Sequence, residues 1–180
     1  MNGISLRRER PEDETFLIAL YASTRAEEIA RTPWTDAQKS EFLRWQYQVQ
    51  TAHYRTHYHD ADFCIIEAGG CSIGRLYVHR RVREIRLMDI ALLPGWRRRG
   101  IGSGLVNALL QEAKMAKLPV SLHVEATNPA RRLYYRAGFQ RGTELGFYER
   151  LVWLPPDPAH EARSAAAGWW EARELQAGRC

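Results

Sequence analysis

With 180 residues, 45% of them hydrophobic, the chain has the size and apolar content of one compact domain and would be cramped as two. Its net charge of +5 is carried almost wholly by Arg, since only Lys39, Lys114 and Lys117 among 26 basic residues are Lys; the positives are scattered apart from Arg97 to Arg99 and a looser run, Arg80, Arg81, Arg83 and Arg86, which argues against a nucleic-acid surface. Cys64, Cys71 and Cys180 stand in no metal or disulfide spacing, and no stretch approaches the roughly 20 apolar residues of a membrane span, so a cytoplasmic protein with no metal and no membrane partner is expected.

In chain order, Ile4 to Arg8 predicts a first strand, and Pro11-Glu12-Asp13 opens a helix to about Ser23 that buries Phe16, Leu17, Leu20 and Tyr21. Pro33-Trp34-Thr35-Asp36 is a break, and Thr35 or Asp36 caps a longer helix to about His57. That helix carries Phe42, Trp45, Gln46, Val49, His53 and Tyr54 along one face, with Trp45 and Val49 expected in the core.

Phe63 to Glu67 and Ser72 to Val78 read as a hairpin turned at Gly69-Gly70, and Glu84 to Leu93 as the next strand, ending at Pro94-Gly95. Ile101, Leu105, Ala108, Leu109, Ala113 and Ala116 repeat with helical spacing until Leu118-Pro119. Val120 to Val124 alternates as a half-buried strand does; a short helix from Asn128 and strands near Phe139 to Arg141 and Phe147 to Trp153 follow. Pro155-Pro156-Asp157-Pro158 then reads as a linker, which divides the chain into a domain over residues 1–154 and an extension over 155–180. Trp169 and Trp170 suggest that the extension forms a helix packing on the body or on a second subunit, so a homodimer is one expectation.

The chemistry concentrates in two segments. A strand ending at Pro94-Gly95 feeds a helix through Arg97-Arg98-Arg99-Gly100-Ile101-Gly102-Ser103-Gly104. The first N–H groups of a helix have no intrahelical partners and lie at the positive end of its dipole, so they bind anions. Glycines let an oxygen-rich diphosphate approach the backbone, and arginines add charge and paired donors. Neither G-x-G-x-x-G nor Gly-Lys-Ser/Thr is present, so this is not one of the common nucleotide loops. In the second segment Asn128-Pro129 opens a helix through Leu133 and Tyr134, with Gly138 for a left-handed ending. Tyr134 and Tyr135 project about 100° apart, so only one faces a given cleft.

Together, Ile90-Ala91-Leu92-Leu93-Pro94 with Arg97-Arg98-Arg99-Gly100-Ile101-Gly102, and Asn128-Pro129-Ala130-Arg131-Arg132-Leu133-Tyr134-Tyr135-Arg136-Ala137-Gly138-Phe139, resemble the GNAT superfamily of acetyl-CoA-dependent N-acetyltransferases. The first fits that family's [Q/R]-x-x-G-x-[G/A] loop and the second its N-x-A-x-x-L-Y-x-x-x-G-F segment; two motifs in order, about 30 residues apart, are far more specific than either alone. The resemblance spans residues 4 to 153, strongest from 84 onward. It implies an α/β (α+β) three-layer fold, with a mixed, mostly antiparallel sheet of six or seven strands, about four flanking helices, and splayed fourth and fifth strands. The backbone of Ile90, Ala91 and Leu92 would hold a pantetheine arm, Arg97, Arg98, Arg99, Gly100, Ile101, Gly102 and Ser103 the pyrophosphate, and Asn128 the same arm. Tyr134 would protonate the departing thiolate. The implied reaction is transfer of acetyl from acetyl-CoA to a primary amine of a small molecule or peptide by direct attack in a ternary complex.

Removing the amine's proton falls to a group on the central strands: Asp89, His123 or Glu125. His123 stands five residues before Asn128, where some relatives carry a glutamate, and Asp89 lies near an expected bulge that hides its facing. Trp34, Gln50 and Tyr54, with other aromatic and amide groups of the first two helices, are candidates to line the acceptor cleft. The alternatives are a CoA-binding sensor or interaction module without turnover and a basic nucleic-acid binder.

Overall fold

The apolar runs assemble into one mixed sheet of seven strands, sandwiched between two pairs of helices. The computed structural model describes residues 3–145 and 147–156. Strands β1 (Ile4–Arg8), β2 (Asp62–Ala68), β3 (Cys71–Arg80), β4 (Ile85–Leu92), β5 (Val120–Glu125), β6 (Gln140–Leu145) and β7 (Tyr148–Trp153) lie in the order β1-β2-β3-β4-β5-β7-β6. Every neighbouring pair is antiparallel except β4 with β5. A parallel neighbour needs a crossover, and helix α3 (Ile101–Ala116) supplies it. The expected three-layer α/β fold is therefore the observed one.

One face of the sheet is covered by α3 and the short helix α4 (Arg131–Arg136), whose Leu105, Val106, Leu109 and Tyr134 are buried with Ile73, Leu76, Val78, Leu87, Leu122 and Leu151. The other face carries α1 (Glu14–Ala30) and α2 (Asp36–His57) over Ile65 and the aromatic cluster of Phe63 and Tyr77. Each fully buried Leu or Val contributes about 1.5–3 kcal/mol, so these two seams dominate stability.

Helix α1 runs about two turns past Ser23, the expected end. The hydroxyls of Ser23 and Thr24 each donate back to the carbonyl three residues earlier, at 2.7 Å, and Ile29 beyond them is buried. Thr35 does cap α2, exchanging bonds with Gln38 in a capping box. The buried face of α2 is not the expected one, however. Trp45 and Val49 are more than half exposed, at 57% and 52%, whereas Leu43 and Tyr47 are buried. Aromatic and apolar residues occupy several faces of this helix, so spacing alone chose the wrong stripe, and packing over the sheet chose Leu43 and Tyr47.

Near the C-terminal end, α4 begins at Arg131, after a turn in which Asn128 Oδ1 accepts from Ala130 N at 2.8 Å, instead of at Asn128 itself. Strand β6 extends to Leu145, well past the expected Arg141. Trp169, Trp170 and the proposed tail helix lie outside the described residues. Among the described residues no helix is long and apolar enough to cross a membrane.

Candidate active site

The site begins where β4 and β5 part. They pair only over Ile85–Leu87 with Val120–Leu122. Beyond that point β4 stays bonded to β3 as far as Leu92 opposite Gly74, while β5 stays bonded to β7 as far as Glu125 opposite Tyr148, so a wedge opens between them. Its opening coincides with a register shift in β4: Tyr77 pairs with Asp89 and Val78 with Leu87, which leaves Met88 as the extra residue of a bulge. Met88 and Asp89 consequently both face α1 and α2, Met88 beside the Tyr54–Tyr58 cluster and Asp89 against Arg75. Ile90 and Leu92 return to the α3 side, and Ala91 packs toward α1. Strand residues beyond the bulge offer their backbone edge to the wedge instead of to β5.

Gly74 makes that edge possible. A Cβ there would lie 2.3 Å from the Ala91 carbonyl oxygen and 2.8 Å from Leu92 Cδ2. Only glycine lets β3 come this close to the β4 segment that lines the wedge.

At the wedge's outer end the chain turns through Pro94–Trp96 and reaches α3. Gly100 caps α3 with φ +79°, a left-handed conformation that glycine adopts without strain, and Gly104 N bonds to Gly100 O at 2.9 Å. The N–H groups of Ile101, Gly102 and Ser103 precede the first helical bond and form an anion cradle. Arg98 is also left-handed, at φ +59°, a conformation that costs a non-glycine residue about 1 kcal/mol or more and marks a loop held for a purpose. The glycines differ in their roles. Gly100 is there for its backbone angle, since open space surrounds its missing Cβ, whereas Gly102 lies over Leu133 of α4.

The three arginines also separate. Arg97 staples the loop: its Nε donates to Leu92 O at 2.8 Å and its Nη2 to Ser23 O and Oγ at 3.2 Å. Arg97 and Arg98 both line the cleft, and Arg99 lies over the Trp96 ring, 5.0 Å from its centroid, outside that lining. Of the looser run, Arg80 bonds Glu112 and Asp62, Arg81 bonds Glu84 and Arg86 contacts His123, so these charges are engaged within the fold.

The cleft has a volume of about 1170 Å³. Ile90, Ala91, Leu92, Gly100, Gly102, Ser103, Asn128 and Tyr134 all line it, so two motifs distant in sequence meet at one opening. Ile101 lies beside that lining with its side chain buried in the core. Tyr134 is 6% exposed and stacks edge-on against Phe139, with ring centroids 5.7 Å apart. Burial, reinforced by the negative charge of Asp89, pushes its phenol well above the usual pKa of about 10, so it stays protonated. Tyr135 points elsewhere, donating to the buried Glu149 at 3.0 Å.

Asp89 accepts from Arg75 Nη2 at 2.5 Å, and the same nitrogen donates to Gln50 Oε1 at 2.8 Å. Arg75 is 3% exposed, and its Nε and Nη1 have no hydrogen-bond partner among the described residues. Gln50 therefore belongs to the group that holds Asp89. Tyr54 packs edge-on to Tyr77 at 6.0 Å in the same layer, and Trp34 stacks on Phe42 at 4.9 Å. None of these three candidate acceptor contacts lines the cleft. Asp89 does not line it either, and neither does His123. Its Nδ1 accepts from Arg86 Nη2 at 2.9 Å, which puts the ring proton on Nε2. Burial and the charges of Arg86 and Arg150 hold its pKa below the usual 6.5, so the ring is neutral.

Glu125, the third candidate on the central strands, does line the cleft, and it meets a residue that sequence had not singled out. Arg25 of α1 lies 3.0 Å from it, across the cleft mouth. Arg25 sits in the part of α1 that had been expected to lie beyond the helix, so its alignment with the wedge had no signal. Among the described residues no cluster of His, Cys, Asp and Glu is arranged to hold a metal.

Solved structures reproduce this architecture. The PaiA N-acetyltransferase of Thermoplasma acidophilum, solved with coenzyme A, matches with a TM-score of 0.63 and 20% identity over 84% of this chain and 98% of that one. Spermidine N-acetyltransferase of Vibrio cholerae, solved with CoA and spermine, matches with a TM-score of 0.59 and 20% identity over 86% and 96%. An acetyltransferase of Thermus thermophilus matches with a TM-score of 0.59 and 16% identity over 84% and 97%. No curated protein sequence matches the chain. Residues 13–139 match the Acetyltransferase (GNAT) family over well more than half of the sequence, so this chain belongs to the GNAT acetyltransferase family.

Proposed function

We propose that the protein is a cytoplasmic N-acetyltransferase that moves the acetyl group of acetyl-CoA to a primary amine of a small molecule or peptide, within a ternary complex. The observation that carries the reading is the wedge itself, an open strand edge with a helix N-terminus at one end and a protonated, buried tyrosine beside it. The fit to CoA rests on features of this chain. The N–H groups of residues 101–103 and the Arg98 guanidinium suit a pyrophosphate, and the Ile90–Leu92 edge, unpaired with β5, suits the amides of a pantetheine arm.

In this reading a neutral amine attacks the thioester carbonyl carbon, the new C–N bond forms, the C–S bond breaks, and Tyr134 donates its proton to the sulfur. The extra proton on the attacking nitrogen leaves the tetrahedral adduct toward Asp89, directly or through water, so that the product is a neutral amide. Asp89 is preferred to His123 because it sits one residue before the cleft-lining Ile90 and acts electrostatically on Tyr134. His123 has its only acceptor nitrogen occupied by Arg86. Gln50 and Arg75 then position Asp89.

Three variants test these assignments. Asp89→Asn is expected to lower kcat by about 10²-fold, the low end for loss of a positioned base, while His123→Gln leaves kcat nearly unchanged; the reverse ranking in steady-state assays would exchange their roles. Arg97→Ala removes a charged staple between the loop, Leu92 and Ser23 and is expected to weaken acetyl-CoA binding about tenfold by calorimetry, with kcat at saturation largely retained. A purified protein that binds no acetyl-CoA would overturn the whole reading.

A further inference from the structure

Arg25 and Glu125 form an ion pair where the cleft opens toward α1. They come from different layers, one from helix α1 and one from the last position of β5, and their Nη1–Oε1 separation is 3.0 Å. Both line the cleft, and their side chains are 29% and 32% exposed, so each is reachable by a small molecule. Glu125 shares a sheet face with Asp89, because α1 and α2 cover the face to which both point. The pair therefore lies on the side of the wedge opposite Tyr134, where an acceptor would meet the acyl group.

Such a pair presents a cation and an anion side by side in fixed positions. The pair is half-buried and open to the cleft on one side, so a ligand that carries both charges can take the place of each partner for the other. Arg25 is held in place by more than Glu125. Its Nη1 also meets Glu28 one turn later on α1, at 3.3 Å. A guanidinium has five donors in a planar fork, enough to add a carboxylate to these contacts. Glu125 accepts only, and suits an ammonium.

We infer that the acceptor is a free α-amino acid, its ammonium taken by Glu125 and its carboxylate by Arg25; this rests on the acetyltransferase reading above. An α-amino acid carries the two charges one carbon apart, which matches adjacent Nη1 and Oε1 atoms. An amine without a carboxylate satisfies Glu125 and offers nothing to Arg25. Phe147, 89% exposed and also lining the cleft, gives the mouth one apolar wall for a side chain.

The test uses the full chain and matched triplets: L-leucine, L-phenylalanine and L-glutamate, each with its α-amide and its decarboxylated amine. The free acid is expected to have a kcat/KM at least tenfold above both analogues in at least one triplet. Arg25→Gln should raise the KM of that acid at least tenfold and leave the KM of the amine unchanged, whereas Glu125→Gln should raise both. Amides or amines that match or exceed every free acid overturn the inference, as does an Arg25→Gln variant with unchanged acid KM. Calorimetry of acetyl-CoA binding on the same preparations separates the two failures. Binding of acetyl-CoA with acetylation of carboxylate-free amines sinks this inference alone, and absence of binding sinks the underlying reading as well.

Discussion

Tyr134→Phe is expected to lower kcat by about 10²- to 10³-fold while leaving the affinity for acetyl-CoA within about threefold, because it removes a proton donor and almost nothing else. The ring's packing against Phe139 and the α3 seam survives the change, so the fold is retained. The hydroxyl is all that is lost, and in the proposed reaction its task is to keep the leaving sulfur from departing as a bare thiolate. The pH dependence has a definite sign. Burial first, and the Asp89 charge second, raise the phenol's pKa above 10, so the donor form persists through pH 9 and Tyr134 contributes no alkaline fall in kcat below that. For stability, a folded-state pKa raised above the unfolded value means that the neutral phenol's contribution is complete below about pH 10 and is lost as pH climbs beyond it. Single-turnover assays over pH 6 to 10, with calorimetric CoA affinities for both forms, check each part. An unchanged kcat would remove Tyr134 as the proton donor.

The second large effect is expected from Gly74→Ala. A methyl at this position would sit 2.3 Å from the Ala91 carbonyl oxygen, and that neighbour is backbone, which cannot swing aside as a side chain does. Either β3 and β4 separate or Ala91 shifts toward the wedge. Overpacking of this kind costs about 1–3 kcal/mol. For a domain of this size each kcal/mol lowers Tm by roughly 2–4 °C, so a fall of about 2–12 °C is expected by calorimetry or thermal circular dichroism. The same displacement moves the Ile90–Leu92 edge, so acetyl-CoA affinity should fall along with Tm. A conservative control elsewhere in the sheet that lost equal stability with no loss of affinity would show that the two effects share this one cause. If Gly74→Ala kept both Tm and affinity, the wedge's edge would tolerate movement and its proposed role would fail.

Much of the architecture is legible in the chain because it depends on local rules. Alternation over Val120–Val124, a Gly-Gly turn at residues 69 and 70, and Thr35 before Asp36 each act over a few residues, and the strands, hairpin and capped helix appear where those rules put them. The proposed donor half of the site is legible for a related reason. A helix N-terminus with glycines and arginines is a local anion site wherever it occurs, and the short stretch of chain between Asn128 and Tyr134 fixes their relation.

The acceptor half depended on contacts between distant segments, and there local pattern was insufficient. Alternation cannot say which way Asp89 points, because the extra residue at Met88 turns two consecutive side chains to one face. Nor can it say that His123, in the right place by count, gives its free nitrogen to Arg86 from the neighbouring strand. The facing of α2 was a choice among several aromatic stripes, decided by Leu43 and Tyr47 over the sheet and leaving Trp45 in solvent. The Arg25–Glu125 pair joins residues 100 apart in sequence, and only the layering of α1 over the opened strands brings them within 3.0 Å. The sequence by itself determined the elements and the anion-binding turn, since both are properties of short segments. Tertiary structure alone decided which charged groups meet across the wedge, because that follows from where two strands stop pairing and which helix lies over the gap.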